Sequence, residues 1–221
     1  MLRIAVPDLV SNSYFPIIAA VELGFFKSEG FDASVELLFP VPKTFAALRD
    51  GQLDFVVGSA HATLLAFPDW QGAKLLCAIG KHTYWFLVIR SDLKPKRGDL
   101  SIVKGLRIGA APGVDFSLRR MLIEAGIDPV ENNVQIMPIP GAAGPNVSFG
   151  LSAAKALEEG TLDGFWANGM GCEVAVRRGV GTMVLDVRRG DGPVPARHYT
   201  FSALVATDQR IKDKPETVTA A

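Results

Sequence analysis

Apolar positions along the chain alternate between two periods. Short continuous apolar runs near 2–6, 33–38 and 55–58 read as strands, and amphipathic stretches near 15–23 and 43–50 between them read as helices. The order then repeats, with strands expected near 106–110, 134–138 and 164–167 and helices near 115–125 and 148–159. A third helix is expected after each set, near 60–67 and 169–178. Apolar strands alternating with helices predict parallel sheets covered on both faces, so each half reads β-α-β-α-β. Two β-rich runs interrupt the alternation, HTYWFLVIR at 82–90 and HYTFSALVAT at 198–207. Two strands at these places would carry the chain into a second lobe and back, as a hinge pair.

The repeat also shows in the residues. FAALRDGQLD at 45–54 aligns with AKALEEGTLD at 154–163, sharing Ala-Leu-x-acidic-Gly-x-Leu-Asp at an offset of 109. Upstream, Leu2-Arg3-Ile4 answers Leu106-Arg107-Ile108 at an offset of 104. Gly51 and Gly160 fall where a helix C-terminus needs positive φ. The expected architecture is α/β, with two similar Rossmann-like lobes joined by a two-strand hinge. Lobe 1 is placed at 1–87 plus 200–221 and lobe 2 at 88–199, with a ligand cleft between them.

Composition narrows the function. The 221 residues carry 23 Lys+Arg against 23 Asp+Glu, and 48% are hydrophobic. Such a chain folds, and its zero formal charge lacks the basic excess of a nucleic-acid binder. The positive mean hydropathy (+0.23) raises a membrane question. The uncharged stretch 134–154 is 21 residues long, but it is broken by Pro138, Pro140, Gly141, Gly144 and Pro145, so no transmembrane segment is expected. Met1 leads directly into a strand-like segment, so no signal peptide is read. The chain is then cytosolic, or its leader lies outside this sequence. Cys77 and Cys172, 95 residues apart, are expected as buried free thiols.

Several chemistries are absent as motifs. There is no Gly-x-Ser-x-Gly elbow and no phosphate-binding P-loop, and Gly179-Val-Gly181 lacks the third glycine of a dinucleotide fingerprint. His61, His82 and His198 show no metal spacing, so neither a metal nor a cofactor is assigned. Asn146-Val-Ser148 matches a glycosylation sequon, read as an ordinary loop feature.

Ligands of open α/β sheets bind beyond the carboxyl ends of the strands, where helix N-termini also point. That rule selects the segments 7–16, 39–44, 58–63, 111–117, 140–148 and 168–171. Within them and beside them the candidate ligand-binding residues are Ser11, Asn12, Tyr14, Lys43, Ser59, His61, Trp85, Asp115, Phe116, Trp166 and Asn168. Ser59 reads either as a cap for the helix beginning at Ala60 or as a donor to a ligand. His61 reads as a structural histidine, a ligand contact or an acid/base. Lys43 is either a solvated lysine or an anion partner. Asp115 either caps its helix or faces the ligand, where it would repel a simple anion or bind an amine. Tyr14, Trp85, Phe116 and Trp166 are either core residues or platforms for an organic ligand with an apolar body. No residue is assigned to catalysis.

GFFKSEGFD at 24–32 resembles the GYFKKEGLDV signature of ABC-transporter solute-binding proteins of the nitrate/sulfonate/taurine type. AALRDGQLDF at 46–55 resembles that family's ALxxGxxD segment, and Leu106-Arg107-Ile108-Gly109 followed by Pro112-Gly113 resembles the start of its second lobe. The resemblance runs over about residues 3–210. It implies the periplasmic binding protein-like II fold, a small organic ligand of anionic or aromatic character, an ABC permease as partner, and a periplasmic or cell-surface location. The same superfamily includes thiamine-pyrimidine synthases and menaquinone-pathway enzymes, so an enzyme or a ligand-sensing domain is the alternative. Relatives often carry Ser or Thr near Asp115, which puts inorganic nitrate or sulfate in doubt. Asp213-Lys214-Pro215-Glu216 has the form of a helix start. The family continues here with helices that return to lobe 1, so missing C-terminal helices are expected.

Overall fold

The computed structural model describes residues 1–139, 141–142, 147–199 and 201–221. It divides into two compact units: Met1–Lys81 with the described residues of Thr200–Ala221, and His82–Tyr199.

Unit 1 opens with β1 (Leu2–Val6), α1 (Phe15–Glu22), α2 (Phe25–Ser28), β2 (Ala33–Leu37), α3 (Val41–Arg49) and β3 (Phe55–Ser59). A 3₁₀ turn at Ala60–Ala62 leads into α4 (Thr63–Ala66), and β4 (Ala73–Ala78) follows. Unit 2 repeats the order: β5 (Phe86–Arg90), β6 (Arg107–Gly109), α5 (Asp115–Glu124), β7 (Gln135–Met137), α6 (Phe149–Glu158), β8 (Gly164–Ala167), α7 (Gly169–Arg177) and β9 (Gly181–Asp186). The chain then returns to unit 1 as β10 (Ser202–Thr207), α8 (Asp208–Asp213) and α9 (Pro215–Ala220).

The two sheets have matching strand orders, β2-β1-β3-β10-β4 and β7-β6-β8-β5-β9. In each, the fourth strand is the one that arrives after the chain has crossed from the other unit. It runs antiparallel to both neighbours, while the first three strands are parallel. A register shift interrupts both crossing strands at matching places, Leu204/Val205 and Leu87/Val88. The sheets are therefore mixed, a correction to the parallel sheets expected from the pattern. Phe86 and Leu87, which the sequence puts in the first lobe, pair with Ala167 and Trp166 in the sheet of unit 2.

The strands β4 and β9 were not expected either. Each pairs on one side only, as the last strand of its sheet, so neither needs an apolar run on two faces. Along β4 only Ala73 is buried, and Leu75 is exposed. Cys77 lies on this strand and is exposed, contrary to expectation, whereas Cys172 is buried; both are free thiols.

The helices follow their sequence pattern closely. In α6 the buried positions are Phe149, Gly150, Ala153, Ala154, Ala156 and Leu157, the spacing of one helical face. The glycines of the repeat end α3 and α6 as predicted, with φ of 70° at Gly51 and 71° at Gly160. Beyond them the N–H of Gln52 bonds the Ala47 carbonyl at 2.9 Å, and that of Thr161 bonds the Ala156 carbonyl at 3.0 Å.

One face of the unit 1 sheet carries Leu2, Ile4, Val6, Phe55, Val57 and Leu204, packed with Ile17 and Phe26 from α1 and α2. Fully burying a side chain such as Phe55 contributes about 1.5–3 kcal/mol. Ile211, Val218 and Ala221 of the C-terminal segment pack against the same core. The expected helix start near Asp213 is present as α9, with Pro215 in its first turn.

Candidate functional site

At the carboxyl end of the unit 1 strands the apolar face gives way to polar side chains. Past β1, Asp8 is buried and accepts the backbone N–H of Val10 (2.7 Å) and of Ser11 (3.0 Å), fixing the loop that leads to α1. The Ser11 hydroxyl donates to Ser13 Oγ at 2.7 Å and accepts the Ser13 N–H at 3.1 Å. Ser202, first residue of β10, donates to the Ser13 carbonyl at 3.1 Å and stands opposite Ser59 in the strand ladder. Ser11, Ser13, Ser59, Thr63 and Ser202 are all buried. The next residue after Ser59 is tied down too, its N–H meeting the Phe201 carbonyl at 2.7 Å.

The matching edge of unit 2 is built differently. Trp166 on β8 is 1% exposed and donates its indole N–H to Ser117 Oγ at 3.1 Å. Ser117 in turn donates to the Val114 carbonyl at 2.8 Å, which locks the first turn of α5. Trp85, just before β5, is 3% exposed and lies beside Trp166, the ring centroids 6.0 Å apart. Asn168 is buried at the N-terminus of α7, and its side chain does not cap that helix. Beyond β9, Arg188 lies 4.5 Å from the centroid of the Phe86 ring and bonds the buried Asp186 carboxylate at 3.1 Å through Nε and a terminal nitrogen. That bond, more than the accompanying charge attraction, raises the pKa of the guanidinium, against the opposing effect of burial.

Glycine lets two helix starts meet at this edge. A Cβ on Gly171 of α7 would stand 2.1 Å from the Gly150 carbonyl oxygen of α6, so only glycine permits the contact. Both helices begin at strand ends, and neither N-cap residue, Ser148 or Asn168, uses its side chain as a cap.

The family described as NMT1/THI5 like matches residues 11–221. The chain belongs to the NMT1/THI5-like family. Its fold is shared with the periplasmic nitrate-binding protein NrtA from Synechocystis PCC 6803, at TM-score 0.76 and 16% identity. The alkanesulfonate-binding protein SsuA from Xanthomonas axonopodis pv. citri, solved with MOPS, matches at TM-score 0.72 and 13% identity. A protein of Bordetella bronchiseptica RB50 matches at TM-score 0.75 and 21% identity. Each match covers 99% of this chain but only 58%, 69% and 67% of the respective partner. At these identities the likeness shows the fold, which is that of the periplasmic binding proteins. Comparison with curated proteins gave no match.

Within this NMT1/THI5-like chain the residues singled out by sequence separate into three groups. Ser11, Ser59, Trp85, Trp166 and Asn168 are buried at the strand-end edges of their own units. Tyr14 is also buried, but it belongs to the apolar core of unit 1. His61 is half-buried in the 3₁₀ turn after β3 and interacts with a neighbour there. Asn12, Lys43 and Phe116 are exposed, Lys43 in the first turn of α3 and Phe116 in the first turn of α5. The two roles weighed for Asp115 are partly resolved, because its carboxylate accepts the Gly113 N–H at 3.0 Å and pairs with Arg119 at 3.0 Å. Its charge is thereby offset within its own helix. Of the expected 140–148 segment, Pro140 and residues 143–146 lie outside the described residues, and Asn146 of the sequon with them.

Sequence reasoning missed Asp8, Thr63, Ser117, Arg188 and Ser202. Arg188 carried a readable signal, a basic pair closing an apolar strand; Ser202 carried none, since its place depends on β10 crossing back beside β3. Among the described residues no group of three or more His, Cys, Asp or Glu is placed to hold a metal ion, and no helix is long and apolar enough to cross a membrane. An open groove of about 590 Å³ lies at the opposite edge of unit 1, lined by Arg49, Asp54, Arg210 and Lys214 among others. Its Arg210 is already engaged by Asp54 at 2.6 Å.

Proposed function

We propose that this chain is a solute-binding protein that captures a small organic anion, with an apolar or aromatic body, for an ABC importer. The observation that carries the reading is the replacement of apolar core by buried polar groups at the carboxyl strand ends, Asp8, Ser59 and Ser202 in unit 1 and Asn168 in unit 2. A purely structural edge would extend the core or cap its helices; here Ser59 and Asn168 do neither. Lys43 supplies positive charge in the first turn of α3, Arg188 and Arg189 share the single Asp186 carboxylate, and Phe116, Leu151 and Met170 leave apolar surface exposed in the first turns of α5, α6 and α7. That mixture suits an organic anion better than an inorganic one. The fold's relatives named for nitrate and alkanesulfonate binding support the same role. In this reading no residue does chemistry, the partner is a permease, and the working location is periplasmic or at the cell surface.

The test is calorimetric titration with MOPS, taurine, benzoate, methylphosphonate and nitrate. Saturable binding of an organic member, tighter than that of nitrate, is expected. A protein that binds nitrate alone, or none of the five, contradicts the proposal.

A further inference from the structure

Side chains alternate between the faces of a strand, so Ser59 shares the face of Phe55 and Val57. Ser202, opposite Ser59, likewise continues the face of Leu204. Both hydroxyls therefore sit where the next layer of the apolar core would be. Thr63, four residues beyond Ser59, is 0% exposed, as is Ser59. Among the described residues neither the Ser59 nor the Thr63 hydroxyl has a hydrogen-bond partner.

Two buried hydroxyls without partners are costly, and the local geometry shows which kind of partner they lack. The neighbouring carbonyls of Ser13 and Phe201 accept the Ser202 hydroxyl and the Ala60 N–H, and neither takes a second bond from Ser59 or Thr63. A helical threonine commonly falls back on the carbonyl four residues earlier, which here belongs to Ser59. Thr63 makes no such bond. Ser59 is equally the N-cap of its turn and does not cap it. Each hydroxyl thus carries a proton with no acceptor among the described residues.

We infer that Ser59 and Thr63 donate together to an acceptor oxygen of the bound solute, of carboxylate, sulfonate, phosphonate or carbonyl type. The inference rests on the solute-binding reading and deepens it, by naming donors in unit 1. Thr63, the last residue of the strand-end segment 58–63 but not one of the named candidates, thereby joins the site.

The experiment uses the 221-residue chain with Ser59→Ala, Thr63→Val and the double substitution. Melting temperatures are measured without solute and with the five compounds above. Without solute, each variant should melt at or above the wild type, by up to about 2–4 °C, because a group with no partner has been removed. With the compound that most raises the wild-type melting temperature, each variant should lose about five- to tenfold in affinity. A lower melting temperature without solute overturns the assignment, since it would show that the fold itself uses these hydroxyls. A wild-type shift that the double variant keeps in full overturns the assignment alone. A wild type that none of the compounds shifts overturns the solute-binding reading, and this inference with it.

Discussion

Asp163 holds Arg107 by its main chain and its side chain together. Its carboxylate accepts the Arg107 backbone N–H at 3.0 Å and the guanidinium at 2.9 and 2.8 Å, and the Asp163 N–H returns a bond to the Arg107 carbonyl at 2.9 Å. Asp54 treats Arg3 in the same way through the main chain, accepting its N–H at 2.7 Å and donating to its carbonyl at 2.9 Å. In unit 1 the side-chain part of the clamp is taken over by Arg210. The last residue of each repeat motif therefore fastens the start of the central parallel strand, which explains why the motif ends in aspartate twice.

The clamp makes stability depend on acid pH. The Arg107 hydrogen bond holds the Asp163 carboxyl down from the ordinary 3.8 to about 2, against the opposing effect of burial. A depressed carboxyl pKa gives stability that is fully present above pH 3.8 and lost as the pH falls through about 2. Asp163→Asn should cost about 2 kcal/mol at neutral pH. Urea denaturation should show that difference shrinking between pH 4 and pH 2; a constant gap across that range would disprove the linkage.

Gly171→Ala should destabilise unit 2, because the added methyl meets the Gly150 backbone. The cost expected for such overpacking is about 3 kcal/mol, read as a melting temperature several degrees lower. Gly150→Ala should be milder, since its Cβ would stand 3.2 Å from the Gly171 nitrogen. Equal melting temperatures for Gly171→Ala and the wild type would show that α6 and α7 do not touch there.

The thiols should differ sharply in reactivity. Cys77 is exposed, while Cys172 is buried and its pKa is pushed well above the ordinary thiol range by burial. The thiolate is the reactive form, so titration with a thiol reagent should modify one cysteine in the folded protein and two after denaturation. Rapid modification of Cys172 in the folded state would contradict the packing of α7.

His61→Ala should weaken binding of the best compound by a few-fold and leave the rest of the protein intact. Mass spectrometry of that compound after incubation with the wild type should show it unchanged. Conversion by the wild type that is lost in His61→Ala would replace the binding reading with an enzymatic one.

Much of this protein was legible because the deciding signals are local. The offset repeat, the apolar runs of β1, β3, β6 and β8, and the glycines ending α3 and α6 each depend on residues within a few positions of one another. They were enough for two similar α/β halves and for strand-end segments as the place to search. Candidates such as Ser11, Ser59 and Asn168 followed from that rule alone.

What only the tertiary structure decided is which distant segments stand together. The edge strands β4 and β9 form because β10 and β5 offer them a partner; β4 is mostly exposed and β9 has no exposed residue, so neither shows a clear alternation. Trp166 can be buried because Ser117 Oγ accepts a hydrogen bond from its indole N–H. Ser202 reaches the Ser13 carbonyl across 189 residues of sequence, beside a Ser59 hydroxyl that is buried with no acceptor among the described residues. A side chain's burial and its hydrogen-bond partners are properties of the packed neighbourhood, so no spacing along the chain could have shown them.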